Sequence, residues 1–229
     1  MLKMLYYTSR LSSFPLPQSA PMNDPLPLFG LTTTPLELIS FVLSVATVAL
    51  DIRQVHWAWL FAIVSSATYA VVFFHSRLYG DMGLQFVFIG TAVWGWHQWL
   101  RGGKMHHGLS VSTLSSSGRI GCLVAWLAGF LLLSFFLRTY TDTDVPYIDA
   151  FLTAGSLVGQ ILLARKKVEN WHVWIVVDAL YVGLYLYKQL TLTAILYALF
   201  ILLAWIGLRT WRRALEADMA APPGTINAS

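Results

Sequence analysis

The chain is written twice. Displaced against itself by 112 positions, the sequence aligns its two halves without a gap. Glu37 falls on Asp149, Ser44 on Ser156, Arg53 on Arg165, Trp59 on Trp171 and Tyr69 on Tyr181. Further along, Leu78 falls on Leu190, Leu84 on Leu196, Phe88 on Phe200, Gly95 on Gly207, Trp99 on Trp211 and Arg101 on Arg213. Tryptophan and glycine seldom coincide by chance, so the pattern marks a structural repeat. Both copies are strongly apolar. Duplicated membrane units are characteristic of secondary transporters, whose substrate site lies between the copies.

The apolar character of the whole chain supports that reading. Hydrophobic residues make up 57% of the 229 and charged residues 11%, where a soluble domain carries about 25% charged residues. The chain reads as an all-α integral membrane protein, with room for one helical bundle and no sizeable soluble domain. Its net charge of +4 comes mostly from Lys and Arg at loop ends. Positive loops beside apolar spans set topology, so nucleic acid is not an expected partner and membrane lipid is. Cys122 is the single cysteine, which excludes an intrachain disulfide and a cysteine metal cluster.

Residues 1–33 read as a flexible tail, because Pro15, Pro17, Pro21, Pro25 and Pro27 forbid a continuous helix. They lack an apolar core of signal-peptide length. A transporter domain over 34–213 follows, with spans near 35–51, 56–75, 80–100, 119–138, 147–164, 171–187 and 191–211. Each is close to the roughly 20 residues that cross about 30 Å of hydrocarbon. Residues 214–229 read as a disordered tail. Lys3, Arg10, Arg77, Arg138 and Lys188 fall on one side of the spans. Arg53, Arg101, Lys104, Arg119, Arg165, Lys166, Lys167, Arg209, Arg212 and Arg213 fall on the other. The richer side is expected in the cytoplasm, with the N-terminus outside and the C-terminus inside. Three spans reverse direction, and the unpartnered fourth reverses it again. Repeat 1 (about 35–101) and repeat 2 (about 147–213) should therefore run parallel around a linker helix (about 119–138), a 3+1+3 arrangement.

The sharpest constellation lies in the sixth span. Trp174, Asp178, Tyr181 and Tyr185 follow a 4-3-4 spacing that places them on one helical face, and Trp171 extends the stripe. A carboxylate at membrane depth is costly and usually faces a cavity or a partner. Flanked by tryptophan and tyrosine, it suits an aromatic cation: rings stack on the ligand and the acid offsets its charge. The matching face of the second span carries Trp59, Ser65, Ser66, Tyr69 and Phe73 without the acid. Its serines suit either a ligand or close helix packing. Gln85 offers donors and acceptors for a ribose or amide. Trp96 and His97 follow it in the third span, and Tyr197 and Trp205 stand at compatible spacing in the seventh. Trp99 and Trp211 are read as an interfacial belt. Glu37 and Asp149 open the first and fifth spans at equivalent positions, as helix-terminal charges or as gating groups. His106 and His107 have no carboxylate or thiol at metal spacing, so neither a metal nor another cofactor is expected.

A phosphate-binding Gly-x-x-x-x-Gly-Lys is absent from the sequence, which removes ATP drive from this chain. Gly-x-Ser-x-Gly and His-Glu-x-x-His are absent too, leaving a membrane-embedded enzyme without a nucleophile or metal base, and no catalytic residue is assigned. A purely structural membrane protein would not explain a carboxylate inside an aromatic face.

Three stretches resemble the PnuC family of bacterial vitamin transporters. They are Leu78-Tyr-Gly-Asp-Met-Gly-Leu-Gln85, Trp94-Gly-Trp-His-Gln-Trp99, and Val168-Glu-Asn-Trp-His-Val-Trp174 continuing to Asp178. The resemblance spans about 35–213 and implies seven helices in the 3+1+3 order, a homotrimer and the bacterial inner membrane. It also implies facilitated diffusion of nicotinamide riboside, trapped by a separate cytoplasmic kinase, with thiamine or riboflavin carried by related members. Nicotinamide riboside carriers place Asn where this chain has Ser65 and Asp178. Nicotinamide riboside and thiamine are both aromatic cations, so Asp178 suits either and argues against neutral riboflavin.

Overall fold

Long apolar runs broken by short polar junctions give seven helices among the described residues. The computed structural model describes residues 26–28, 31–33, 35–75, 79–102, 108–141, 145–187 and 191–220, without the side chains of 26–40, 68, 69, 71–84, 192 and 193. The helices are α1 (Pro35–Ile52), α2 (Ala58–His75), α3 (Tyr79–Arg101), α4 (Ser116–Tyr140), α5 (Pro146–Ala164), α6 (Glu169–Tyr187) and α7 (Thr191–Ala220). Helices α1 and α5 each open on a proline, whose missing N–H costs nothing in a first turn. Ser115 caps α4 by accepting a hydrogen bond from the Gly118 N–H at 3.1 Å. Ser116–Tyr140, Pro146–Ala164 and Ala194–Ala220 are long and apolar enough to cross a membrane. Phe41–Ile52 and Ala58–Ala67 are shorter apolar stretches of α1 and α2.

The duplication persists into hydrogen bonds. The α1–α2 and α5–α6 turns are built alike: Gln54 N donates to Asp51 O at 3.0 Å, and Lys166 N donates to Leu163 O at 2.9 Å. Gln54 (φ 57°) and Lys166 (φ 47°), 112 positions apart, both hold the left-handed conformation, which non-glycine residues seldom adopt. Within each repeat the second and third helices pack closely, α2 on α3 and α6 on α7. The halves meet through α1 with α7 and α3 with α5. Trp99 Nε1 donates to Leu163 O at 3.1 Å. Reciprocally, Trp211 Nε1 donates to Asp51 O and Ile52 O at 3.3 and 3.2 Å. Such an exchange is that of two units related by a two-fold.

A tryptophan layer forms around that relation. Trp59 meets Trp99 edge-on at 5.5 Å, and Trp171 meets Trp211 edge-on at 5.3 Å. Trp99 and Trp211 join the pairs at 6.1 Å. Gly95 and Gly207 are the floors on which these rings rest: a Cβ at Gly95 would stand 2.5 Å from Trp59, and one at Gly207 2.6 Å from Trp171. The belt reading of Trp99 and Trp211 is thus corrected. Both are buried in the protein, because their N–H groups bond backbone carbonyls of the opposite repeat rather than lipid headgroups.

Helix α4, which has no counterpart in the repeat, packs on α5. Its Trp126 lies over Gly155 and donates to Phe151 O at 2.9 Å. Its outer side exposes Leu131, Leu132 and Phe135, as a lipid-facing helix would. The segment before α4 straps across the α5–α6 turn. Glu169 accepts from the Leu114 N–H at 3.0 and 3.1 Å and pairs with Arg119 at 3.3 Å. Lys167 Nζ donates to Ser112 Oγ at 2.8 Å.

Two expectations about the ends need correction. Part of the segment read as flexible forms an antiparallel hairpin, β1 (Leu26–Leu28) with β2 (Leu31–Thr33). Pro27 is tolerated there because an edge strand can spare its N–H. At the other end α7 continues to Ala220, since Arg212, Arg213, Ala214, Leu215 and Glu216 are all strong helix formers.

Candidate functional site

A cavity of about 170 Å³ lies between the repeats. Its lining repeats the chain's internal symmetry. Ser44 and Ser156, Trp59 and Trp171, Phe88 and Phe200, and Ala92 and Ala204 all line it, each pair 112 positions apart. The cavity therefore sits on the two-fold relation between the halves. At five further equivalent positions the residues differ: Val48 and Gln160, Asp51 and Leu163, Ala62 and Trp174, Ser66 and Asp178, Gln85 and Tyr197. These differences make one wall aromatic and acidic.

That wall is α6 with α7. Asp178 is 4% exposed and lines the cavity, and among the described residues no cation pairs with it. Trp174 and Tyr181 line the cavity on the same face, one turn to either side. Behind them, Tyr185 stacks on Tyr181 at 5.6 Å and 16° and meets Tyr197 at 5.0 Å. Tyr197 in turn lies 5.1 Å from Tyr181 and 5.4 Å from Phe200. Buried rings this closely packed fix one another's rotamers and hold a firm surface for a ligand ring.

Several buried polar atoms of lining residues have no partner among the described residues: Gln85 Oε1, Trp59 Nε1 and Trp171 Nε1. Buried donors and acceptors are nearly always satisfied, so these are groups a ligand or water would complete. Outside the spans, the Lys166 ammonium stands over the Trp99 ring at 4.8 Å. Burial there lowers its pKa from the ordinary lysine value. No Lys, Arg or His occurs among the described residues that line the cavity.

The structure brings together Asp178, Trp174, Trp171, Tyr181, Gln85, Ser66 and Tyr197. It leaves others out. Tyr185 stands one layer back. Ser65 is half-buried off the lining, because successive helical residues are turned about 100° apart and only one of the two serines can face the cavity. Trp96 fails for the same reason: its neighbour Gly95 faces Trp59, and Trp96 packs on Trp57 at 5.9 Å. Asp149 lies off the cavity in the first turn of α5, with the Thr153 hydroxyl 3.5 Å from its Oδ1. The side chains of Glu37 and Tyr69, and the loop with His106 and His107, lie outside the described residues. Sequence reasoning missed Ser44, Asp51, Thr153, Ser156 and Gln160 as lining residues. For Ser44 and Ser156 the signal was their coincidence in the repeat.

The family described as nicotinamide mononucleotide transporter matches residues 34–213. The riboflavin/roseoflavin transporter RibM of Streptomyces davaonensis is 28% identical over 180 residues, covering 76% of this chain and 83% of its own. The nicotinamide riboside transporter PnuC of Escherichia coli is 21% identical over 178 residues, covering 67% and 74%. A crystal structure of the vitamin B3 transporter PnuC superposes with a TM-score of 0.61 at 21% identity, covering 78% of this chain and 81% of that one. At that identity the match supports the fold.

Proposed function

This chain belongs to the nicotinamide mononucleotide transporter family, the PnuC family, and on that premise we propose that it carries an aromatic vitamin cation, nicotinamide riboside first. The family's members are membrane transporters, and this chain is one of them rather than an enzyme. One observation carries the substrate reading: the Asp178 carboxylate, which no cation among the described residues pairs with, lines a cavity walled by Trp174 and Tyr181. A pyridinium ring stacks between the aromatic side chains while Asp178 offsets its charge, and Gln85 meets the ribose or the amide. Thiamine offers the same combination of aromatic ring and positive charge. The absence of basic groups from the described lining favours a nucleoside over a phosphorylated nucleotide.

Transport is by facilitated diffusion, as the resemblance to the PnuC family implies, and the sequence holds no ATP-binding motif to drive it. Phosphorylation by a separate cytoplasmic kinase adds negative charge to the product and prevents its return. The charged loops orient the C-terminus to the cytoplasm, and the assembly is a homotrimer in the bacterial inner membrane.

Riboflavin is the second reading, favoured by the identity to RibM. In it a protonated Asp178 would hydrogen-bond to a neutral flavin ring. Uptake of labelled nicotinamide riboside, thiamine and riboflavin into proteoliposomes without any gradient separates the two. The cation reading expects a cation to equilibrate faster than riboflavin. Riboflavin uptake with neither cation moving would replace it with the flavin reading.

A further inference from the structure

We propose that Asp51 is a second cation-binding position, on the path between the Asp178 site and the tryptophan layer. Asp51 lines the same cavity as Asp178 and is 7% exposed. It lies in the last turn of α1, which holds no basic residue. Helix C-termini carry partial negative charge and disfavour a carboxylate. Among the described residues no cation pairs with it. Burial, helix position and isolation all oppose an acid here, so the fold alone does not account for it.

The repeat makes the argument independent of such costs. The equivalent residue in the other half is Leu163, which lines the same cavity and supports the same turn. The scaffold therefore works with a leucine at this position. The two acids also break the symmetry in opposite halves: Asp51 has Leu163 as its equivalent, and Asp178 has Ser66, all four on the lining. A ligand leaving one carboxylate can approach the other without crossing a like-charged wall.

Depth follows from the tryptophan layer. The Asp51 carbonyl accepts from Trp211, which packs edge-on against Trp171. Trp171 precedes Asp178 by seven residues on α6, roughly 10 Å of helical rise. Trp59 and Trp171 line the cavity at this end, and their buried indole N–H groups have no partner among the described residues. Asp51 and these donors together fit an organic cation bearing hydroxyl or carbonyl oxygens. The cation occupies Asp51 after Asp178, which lowers the barrier to the exit without tightening the resting site. The inference rests on the cation reading above.

The test compares wild type, Asp51→Asn, Asp51→Leu and Asp178→Asn, each checked for a monodisperse elution profile. Nicotinamide riboside, thiamine and 1-methylnicotinamide are the probes, with equilibrium binding in detergent and exchange rate in proteoliposomes as readouts. Asp51→Asn and Asp51→Leu are expected to slow exchange by about tenfold while dissociation constants stay within about threefold, a split between rate and binding. Asp178→Asn should weaken binding itself. Wild-type exchange rates in both Asp51 variants would overturn the inference, as would a loss of binding equal to that of Asp178→Asn. If neither Asp51 variant folds, Asp51 is a structural residue and the inference fails. If wild type binds none of the three cations, the cation reading fails and this inference with it.

Discussion

At the level of the tryptophan layer the two repeats are interchangeable. Trp59 rests on Gly95 as Trp171 rests on Gly207, and Trp99 and Trp211 exchange hydrogen bonds across the halves. Within one to two turns along the same helices the likeness ends: Ala62 stands where the other repeat has Trp174, and Ser66 where it has Asp178. The layer is a packing problem with one answer, needed twice. The cavity wall is a recognition surface, and a ligand with one charged ring needs one acid and one stacking wall. Symmetry is kept where the halves hold each other, and on the cavity lining it survives at Ser44 and Ser156, Phe88 and Phe200, and Ala92 and Ala204 but is broken at the acid and at the stacking Trp174.

The comparison breaks most readily at the rings. Trp59→Ala and Trp171→Ala each remove a fully buried indole and should each cost about 3–5 kcal/mol of stability. Thermal unfolding in detergent reads this. Loss at only one of the two would mean that the repeats do not share the layer equally. A smaller effect is expected from Gly95→Ala and Gly207→Ala. Each puts a methyl group into a ring and should cost about 1–3 kcal/mol by overpacking. Again the two variants should fall together.

The smallest effect sharpens the other side of the contrast. Ser66→Ala, on the repeat that lacks the acid, should shift the dissociation constant of a cationic substrate by less than about threefold, the low end of what one neutral hydrogen bond contributes. A larger loss, measured by titration calorimetry, would make the first repeat an equal partner in recognition.

Much of this was legible in the sequence because it is local. The repeat needs only coincidence at fixed offset, and the helices need only apolar runs of sufficient length. Asp178, Trp174 and Tyr181 declared themselves by a 4-3-4 spacing on one helix. The rest depends on contacts between helices, which no single-helix period encodes. Trp99 and Trp211 sit near the ends of the spans read at 80–100 and 191–211, where tryptophan usually marks a lipid interface, and only the packing of one half on the other buries them. Asp51 closes the span read at 35–51, where a charged residue looks like a loop end, although it lies in the last turn of α1 and lines the cavity. Ser65 and Trp96 differ from their facing neighbours by one residue, and a 100° step decides which of each pair is seen. The continuation of α7 to Ala220 was hidden by polarity: residues from 214 on read as tail, yet Ala214, Leu215 and Glu216 favour helix.

The central claim is that Asp178 recognises positive charge on an aromatic ring. The direct measurement is the affinity of wild type and Asp178→Asn for nicotinamide riboside and for its reduced dihydro form, which keeps nearly the same shape without the ring charge. A charge-assisted contact contributes about 1.5–3 kcal/mol. The substitution should therefore weaken binding of the cation roughly 10- to 150-fold and change binding of the neutral form by less than about threefold. Equal losses for the two ligands, or unchanged binding of the cation, would contradict the account.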